Sequence, residues 1–370
     1  MEHVLVTGGA GFIGRFVCDE LLRRGNKVRV LDSLVEQVHG SAQRPTALSA
    51  DVEFIHADVR NGAAVEKALR DVDAVIHLAA EVGVGQSMYE VERYTSVNDV
   101  GTAVLLEKLI DRRVRRIVTA SSMSIYGEGL YVDGNGNYLE QVERSGIRDG
   151  LRQWDPLDAS GQPLKALPTP EWKQPNLASI YALTKYVQER ATHIMAAPYG
   201  MESVTLRLFN VFGPGQALSN PYTGVLAIFA SRLMNGQSPL IFEDGHQRRD
   251  FVHVRDVARA FVDALTVPGI SGQSFNIGSG HDRTVLEIAQ ALAAAMGRSE
   301  IEPEVAGRAR VGDIRHCFCD ATLAAERLGF QPREDFAAGL AELAEWVASQ
   351  NAEDRVPEAR AELEARGLVA

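Results

Sequence analysis

Three cysteines, Cys18, Cys317 and Cys319, are all that the 370 residues contain. That is too few for a disulfide framework, and Cys-x-Cys is not a zinc spacing, so a reducing compartment is expected. No run approaches 18 uncharged apolar residues, which excludes a membrane-spanning helix. The first residues show no basic segment followed by an apolar stretch and a cleavage site, and a cytoplasmic protein is expected. Basic side chains are also in deficit: 38 Lys and Arg stand against 49 Asp and Glu, a formal net charge of -11. Such a chain is poorly suited to gripping a nucleic-acid backbone. Phosphorylated ligands would have to be held by local devices, helix N-termini and single arginines.

Hydrophobic residues at 45% and charged residues at 24% fit a globular chain, long enough for two or three domains. Residues 1–125 alternate β-branched runs at 4–7, 28–31, 52–56, 74–78 and 117–120 with helical periods at 12–24, 63–70 and 97–112. In the first helix Ile13, Val17 and Leu21 make one apolar stripe. Alternation with nearly continuous apolar strands predicts a doubly wound parallel α/β sheet, a Rossmann arrangement covered on both faces. Residues 127–178, rich in Gly, Asp, Asn and Pro, lack periodicity and are expected to form a long loop inserted near the site. A helix at 179–197 and a strand at 204–208 follow. Beyond 213 the elements shorten, as at 239–242, 251–254 and 274–277, which predicts a smaller α+β substrate region. The expected division is a nucleotide-binding domain over 1–212 and a substrate domain over 213–350, with some chain crossing between them. The Glu/Arg/Ala-rich stretch 351–370 is expected to be a solvated helix or frayed tail.

Gly8, Gly11 and Gly14 stand between the first strand and the first helix. Gly8 permits the tight turn, Gly11 lets a pyrophosphate approach the backbone, and Gly14 lets helix and sheet pack closely. The helix-start amides at Phe12 and Ile13, with the helix dipole, would then hold the anion. Asp32 follows at the end of the second strand, near the usual spacing of about 20 residues. Its carboxylate suits two ribose hydroxyls and repels a 2′-phosphate, and neither Ser33 nor Leu34 is an arginine. NAD is therefore expected over NADP.

Ser122, Tyr181 and Lys185 are the expected catalytic residues. Tyr181 and Lys185 lie one turn apart at the start of a helix. An ammonium so close would lower the tyrosine from its reference pKa of about 10, making it a general base at neutral pH. Ser122 ends the fifth strand, where open parallel sheets present ligands. Taken alone, a Tyr-x-x-x-Lys pair is more often two amphipathic neighbours than a catalytic dyad.

From Val4 to about Gly329 these motifs, in order, resemble the extended branch of the short-chain dehydrogenase/reductase superfamily, the nucleotide-sugar epimerases and dehydratases. The resemblance assigns the cofactor side to the glycine turn, Asp58-Val59, Leu78-Ala79-Ala80 and Asn98, with Tyr181 and Lys185. It assigns the substrate side to Ser122 and Ser124 in Ser121-Ser122-Met123-Ser124-Ile125-Tyr126-Gly127, to Asn210, and to Arg249 and Arg310 as a diphosphate clamp. Guanidinium forks match phosphate geometry. It further implies that the tyrosine takes a sugar hydroxyl proton while NAD takes hydride, giving a keto sugar. Dehydratases resemble a carboxylate pair after the Ser/Thr; Met123 and Ser124 stand here instead, so return of hydride to the other face, a C4 epimerisation, is expected.

The insertion resembles that of the epimerases acting on dTDP-L-rhamnose. Alternatives are another nucleotide-sugar epimerase of the UDP-glucose/galactose type, a dehydratase, a reductase, or a non-catalytic NAD-binding regulator. Asp133-Gly134-Asn135-Gly136-Asn137 mimics the start of a calcium loop, but Tyr138 and Arg144 replace the glycine and glutamate it needs; no metal is expected. Superfamily dimers pair the helices corresponding to 97–112 and 179–197. A homodimer is expected through Val100, Val104, Leu105, Tyr186, Ile194 and Met195.

Overall fold

Apolar runs with no polar face must be covered on both sides. In the computed structural model, which describes residues 1–144, 147–148, 151–218, 220, 222, 224–309, 313–350 and 356–368, those runs build one seven-stranded parallel sheet. Its strands are β1 (His3–Thr7), β2 (Lys27–Asp32), β3 (Glu53–His56), β4 (Ala74–His77), β5 (Arg116–Ser122), β6 (Glu202–Leu208) and β7 (Gln273–Ile277), in the order β7-β6-β5-β4-β1-β2-β3. Successive side chains of a strand face opposite sides. Val4 and Val6 accordingly join one core with helix α1 (Phe12–Arg23). Leu5, Val75 and Ile117 join another with helix Gly62–Ala68 and helix α2 (Gly101–Asp111).

Strand order reverses on passing from β2 to β1 and on to β4, which opens a crevice at the carboxyl ends of the strands. Register sets Thr7 opposite His77, His77 opposite Thr119, and Ser122 opposite Leu208, so these residues share that edge. The helix expected over 97–112 starts instead as a π-helical stretch, Thr95–Val100, before α2. At the junction a Cβ on Gly101 would sit 2.5 Å from Val59 Cγ1.

The insertion is not the long loop expected from its composition. Leu130–Val132 pairs antiparallel with Tyr138–Leu139 and Lys165–Leu167, over a small core of Tyr131, Val142 and Leu164. Strands of two and three residues are too short to show an alternation. The Asp133 carboxylate accepts from the amides of Asn135 (2.8 Å) and Asn137 (2.9 Å) and closes a polar turn. The insertion is riveted to the second half by the buried guanidinium of Arg315, which donates to Asp155 (2.7 Å) on the insertion and to Glu243 (3.1 Å) and Asp244 (3.0 Å).

The second half has its own core around helices Val225–Met234, Val285–Ala295 and Phe336–Ala348. It also has a small sheet of Asn210–Phe212, Arg248–His253 and Asp282–Thr284, with His316–Cys317 beside the middle strand. Helix α3 (Ile180–Ala196) packs its Ala196 into the core of Leu5 and Ile117, while helix α4 (Val254–Thr266) crosses back onto α1, its Val257 and Phe261 joining the core of Val17 and Leu21. The C-terminal helix Val356–Ala365 is docked rather than solvated or frayed. Ala359 and Leu363 are buried, and the Arg366 guanidinium lies 4.4 Å from the Tyr89 ring centre. Beneath it a cleft of about 890 Å³ is lined by His39, Gln86, Tyr89, Tyr222 and Trp346. No helix among the described residues is long and apolar enough to cross a membrane.

Candidate active site

The glycine turn leaves β1 with Gly8 at φ +70°, where a Cβ would come within 2.7 Å of the Ala79 nitrogen. The turn is thereby pressed against Leu78-Ala79 at the end of β4; Leu78 donates to Thr7 O at 3.0 Å. A Cβ on Gly14 would meet Gly8 O at 2.5 Å, so α1 can start this close only with glycine there. Gly11 caps α1 without a side chain. First-turn amides have no partner within their helix, and those at Phe12 and Ile13 suit an anion such as a pyrophosphate. The cradle fits a dinucleotide.

Asp32 is buried and braces the same turn: Oδ2 accepts from Ala10 N (3.0 Å) and Oδ1 from Leu34 N (2.9 Å). His39 Nε2 lies 3.6 Å from Oδ1. Sequence reasoning did not single out His39. Asp58 is tied to Arg60 (2.6 Å), whose hydrogen bonding holds the carboxyl below its ordinary value. The Val59 side chain is packed in the core beneath Gly101, which leaves its backbone for any ligand.

Ser122 ends β5 and caps the short turn Met123–Tyr126. Its Oγ accepts from Ser124 N (3.2 Å) and from Ser124 Oγ (2.8 Å), and it lies close enough to the Tyr181 phenol to influence its titration. Tyr181 sits in the first turn of α3, which is capped by Ser179 Oγ accepting from Ala182 N (3.1 Å). Its own amide donates to Ser87 Oγ at 3.0 Å, and its ring meets Tyr94 edge-on, centres 6.5 Å apart. Lys185, one turn on, is 4% exposed. Ser124, Ser122, Tyr181 and Lys185 are thus brought together.

Their electrostatics differ from the expected lowering of Tyr181. Burial raises the phenol above its ordinary value and the Ser122 hydrogen bond offsets part of this. Burial pushes Lys185 down to about 7, against the pull of Glu189. A low-dielectric site disfavours both charged forms. The polypeptide alone therefore does not make Tyr181 a strong base at neutral pH.

Asn98 lies in the π-helical stretch and is fully buried. Its Oδ1 accepts from Glu81 N (2.7 Å), and its Nδ2 donates to Glu81 O (3.1 Å) and Thr184 Oγ1 (2.9 Å). It ties the segment after β4 to the helix of Tyr181. Asn210 lies two residues beyond Leu208, the register partner of Ser122. Its Oδ1 is buried with no hydrogen-bond partner among the described residues. Arg249 is on the neighbouring strand of the small sheet. Its guanidinium donates to Arg248 O (2.9 Å), Arg315 O (2.9 Å) and Ile314 O, so the side chain is braced across residues 314–315. Arg310 lies outside the described residues.

The arrangement can hold a dinucleotide, bind a hydroxyl between Ser122 and Tyr181, and move its proton. The model of the NAD dependent epimerase/dehydratase family matches residues 4–144 and 159–278. The chain is 37% identical over 354 residues to the dTDP-L-rhamnose 4-epimerase of Burkholderia thailandensis, covering 94% of this chain and 96% of that one. A UDP-glucose 4-epimerase of Thermotoga maritima, solved with UDP-glucose, superposes with a TM-score of 0.76 at 31% identity, covering 94% and 98% of the two chains. The Thermus thermophilus UDP-glucose 4-epimerase complexed with NAD gives 0.74 at 30% identity, covering 94% and 100%.

Proposed function

Because the chain belongs to the NAD dependent epimerase/dehydratase family, we propose that its nucleotide-sugar 4-epimerase activity interconverts dTDP-L-rhamnose and its C4 epimer, dTDP-6-deoxy-L-talose. The relative and structural neighbours described above are nucleotide-sugar 4-epimerases, and the Thermus enzyme is complexed with NAD. The choice of dTDP-L-rhamnose is supported by the Burkholderia relative, which matches nearly end to end.

The observation that carries the chemistry is the turn after β5. Ser124 Oγ donates to Ser122 Oγ, whose hydroxyl acts on the Tyr181 phenol, and Met123 and Ser124 stand where an eliminating enzyme would need carboxylates. Bound NAD would supply the acceptor and donor of hydride for C4, and its nicotinamide cation the positive charge that the buried phenol lacks. Ser122 holds the C4 oxygen and Tyr181 removes its proton. Ser124 donates to Ser122 Oγ, which leaves the Ser122 proton free for the substrate oxygen. Tyr181 then returns the proton when hydride comes back to the opposite face. The ketone must turn over without leaving, so the diphosphate is held by Arg249, with Arg310 as the second arginine that the family motif implies, while the sugar is gripped loosely.

The second reading, a UDP-glucose 4-epimerase, is favoured by the Thermotoga neighbour with its UDP-glucose. A homodimer through α3 and the π-helical stretch before α2 is also proposed, because Val100, Leu183 and Ile194 are 50%, 42% and 61% exposed. Leu105, expected on that face, is instead buried in the protein's own core, and Val104 and Met195 pack against it.

Incubation with dTDP-L-rhamnose in deuterated water, without added NADH, tests the reaction by NMR. A mixture of the two C4 epimers with no carbon-bound deuterium at C3 or C5 is expected. A stable keto product, or deuterium at either carbon, contradicts it. Conversion of UDP-glucose alone would favour the second reading.

A further inference from the structure

The third turn of α3 carries an amide that is 1% exposed, that of Gln188. Its Oε1 accepts from Lys185 Nζ at 2.7 Å. Its Nε2 donates to Thr102 Oγ1 at 2.8 Å and Ala79 O at 3.3 Å, and lies 3.2 Å from His77 Nε2. Those contacts decide which way the amide points. A flipped amide would set its NH₂ against an ammonium and its oxygen against the Ala79 carbonyl.

The partners of Gln188 are fixed in turn. Thr102 Oγ1 donates to Asn98 O at 2.5 Å and so meets Gln188 as an acceptor. His77 Nδ1 shares a hydrogen bond with Thr7 Oγ1 at 2.7 Å, and its Nε2 lies 2.9 Å from Thr102 Oγ1. With the proton on Nε2, Thr7 donates to Nδ1, His77 and Gln188 both donate to Thr102, and every polar atom of the cluster is satisfied. Buried groups left unsatisfied are costly, so the cluster has little freedom to rearrange. Burial, with Lys185 beside it, holds His77 near 3, so the imidazole is neutral.

We propose that Gln188 is a positioning residue, whose carbonyl oxygen holds one of the three Lys185 protons and so fixes the ammonium one helical turn from Tyr181. The proposal rests on the reading of Tyr181 and Lys185 as the proton-transfer pair. Without that oxygen, a lysine this deeply buried has a weaker hold on its proton, and the phenolate it serves is less stable. The other charged or titratable groups around Lys185 are His77 on β4, Tyr181 and Glu189 on its own helix, and Arg207 on β6, which is paired with Glu189.

The experiment compares full-length NAD-loaded wild type with Gln188→Met and Gln188→Glu. Methionine keeps the volume and loses the acceptor; glutamate keeps the acceptor. Gln188→Met should lower kcat by about 10- to 100-fold with KM little changed, and move the limb that reports the base to higher pH. Gln188→Glu should recover part of that kcat. A merely structural role reverses the ranking, because a buried carboxylate is harder to accommodate than a thioether.

A second readout needs no turnover. The phenolate of Tyr181 is titrated by ultraviolet difference spectroscopy with Tyr181→Phe as blank, with and without NAD. Its midpoint should rise by about half a unit or more in Gln188→Met. An unchanged midpoint, or glutamate performing worse than methionine, overturns the proposal. If wild type converts no nucleotide sugar while the midpoint still shifts, the assigned reaction fails and the role of Gln188 stands.

Discussion

Arg207 and Glu189 meet inside the protein as a two-pronged pair, Nη2 to Oε1 at 2.6 Å and Nε to Oε2 at 3.0 Å. Arg207 comes from β6 and Glu189 from α3, one turn beyond Lys185. The same guanidinium donates to Tyr126 Oη (2.8 Å) and Glu171 O (3.0 Å). One cation thus joins the central sheet, the helix of Tyr181, the turn after Ser122 and the insertion.

Removing one partner of a buried pair leaves a charge uncompensated, at a cost of about 3–5 kcal/mol. Arg207→Met should therefore unfold at much lower urea than wild type, and Arg207→Met combined with Glu189→Leu should regain most of the difference. Equal midpoints for the single and double variants would refute the coupling. The pH dependence has a definite sign. Burial raises Glu189, but the hydrogen bonds from Arg207 outweigh it and the folded pKa is lowered. Its stabilisation is complete above the unfolded value of about 4.3 and is lost as pH falls below it.

Tyr181→Phe should keep NAD and lose about 10²- to 10⁴-fold in turnover. Ser122→Ala removes the hydrogen bond that partly offsets the burial of the phenol. Its kcat–pH profile should therefore shift to higher pH on the base limb. Near-normal rates in Tyr181→Phe would require another base.

Asp32→Ala should weaken NAD by roughly 10-fold, the scale of one or two charge-assisted hydrogen bonds, and narrow the preference over NADP. It also frees the amides of Ala10 and Leu34, so the folded protein should lose stability even without cofactor. Calorimetric titrations with both dinucleotides decide the matter: tighter NADP binding by wild type would show that the carboxylate does not select.

The three thiols should be unreactive in the native state. All are buried, and burial pushes Cys317 up to about 11 and raises Cys18 and Cys319 as well. Thiolate is the reactive form. Iodoacetamide at neutral pH should label none of them until denaturant is added, as mass spectrometry would show; rapid labelling of any one in native protein contradicts the buried placement.

The parallel sheet was legible because Val4, Leu5 and Val6, like Val75 and Ile76, put apolar side chains on both faces, and the cofactor turn because its glycines sit between strand and helix. The insertion was not. Its strands of two or three residues carry no period, and its fastenings, such as Asp155 to Arg315, join residues 160 apart. Gln188 was equally hidden, since an amide on a helix reads as a solvent face until β4 and α2 are seen to cover it. Arg249 could be picked out by motif, but not the carbonyls at 314 and 315 that hold its guanidinium. In the tail, Ala359 and Leu363 are spaced as one helical face, yet the surrounding Glu and Arg mask that signal.

The place of β7 in the sheet has a consequence for biosynthesis. Strand β6 has β5 on one side and waits for β7 on the other, while α1 waits for α4 to cover its outer face. A nascent chain therefore cannot finish its first-formed sheet until residue 277 of 370 has cleared the ribosome. Until then β6 offers an open edge of the kind that invites pairing with other chains. Fragments cut near residue 212 should inherit that exposed edge permanently, and their expression should yield aggregates where the whole chain remains dispersed.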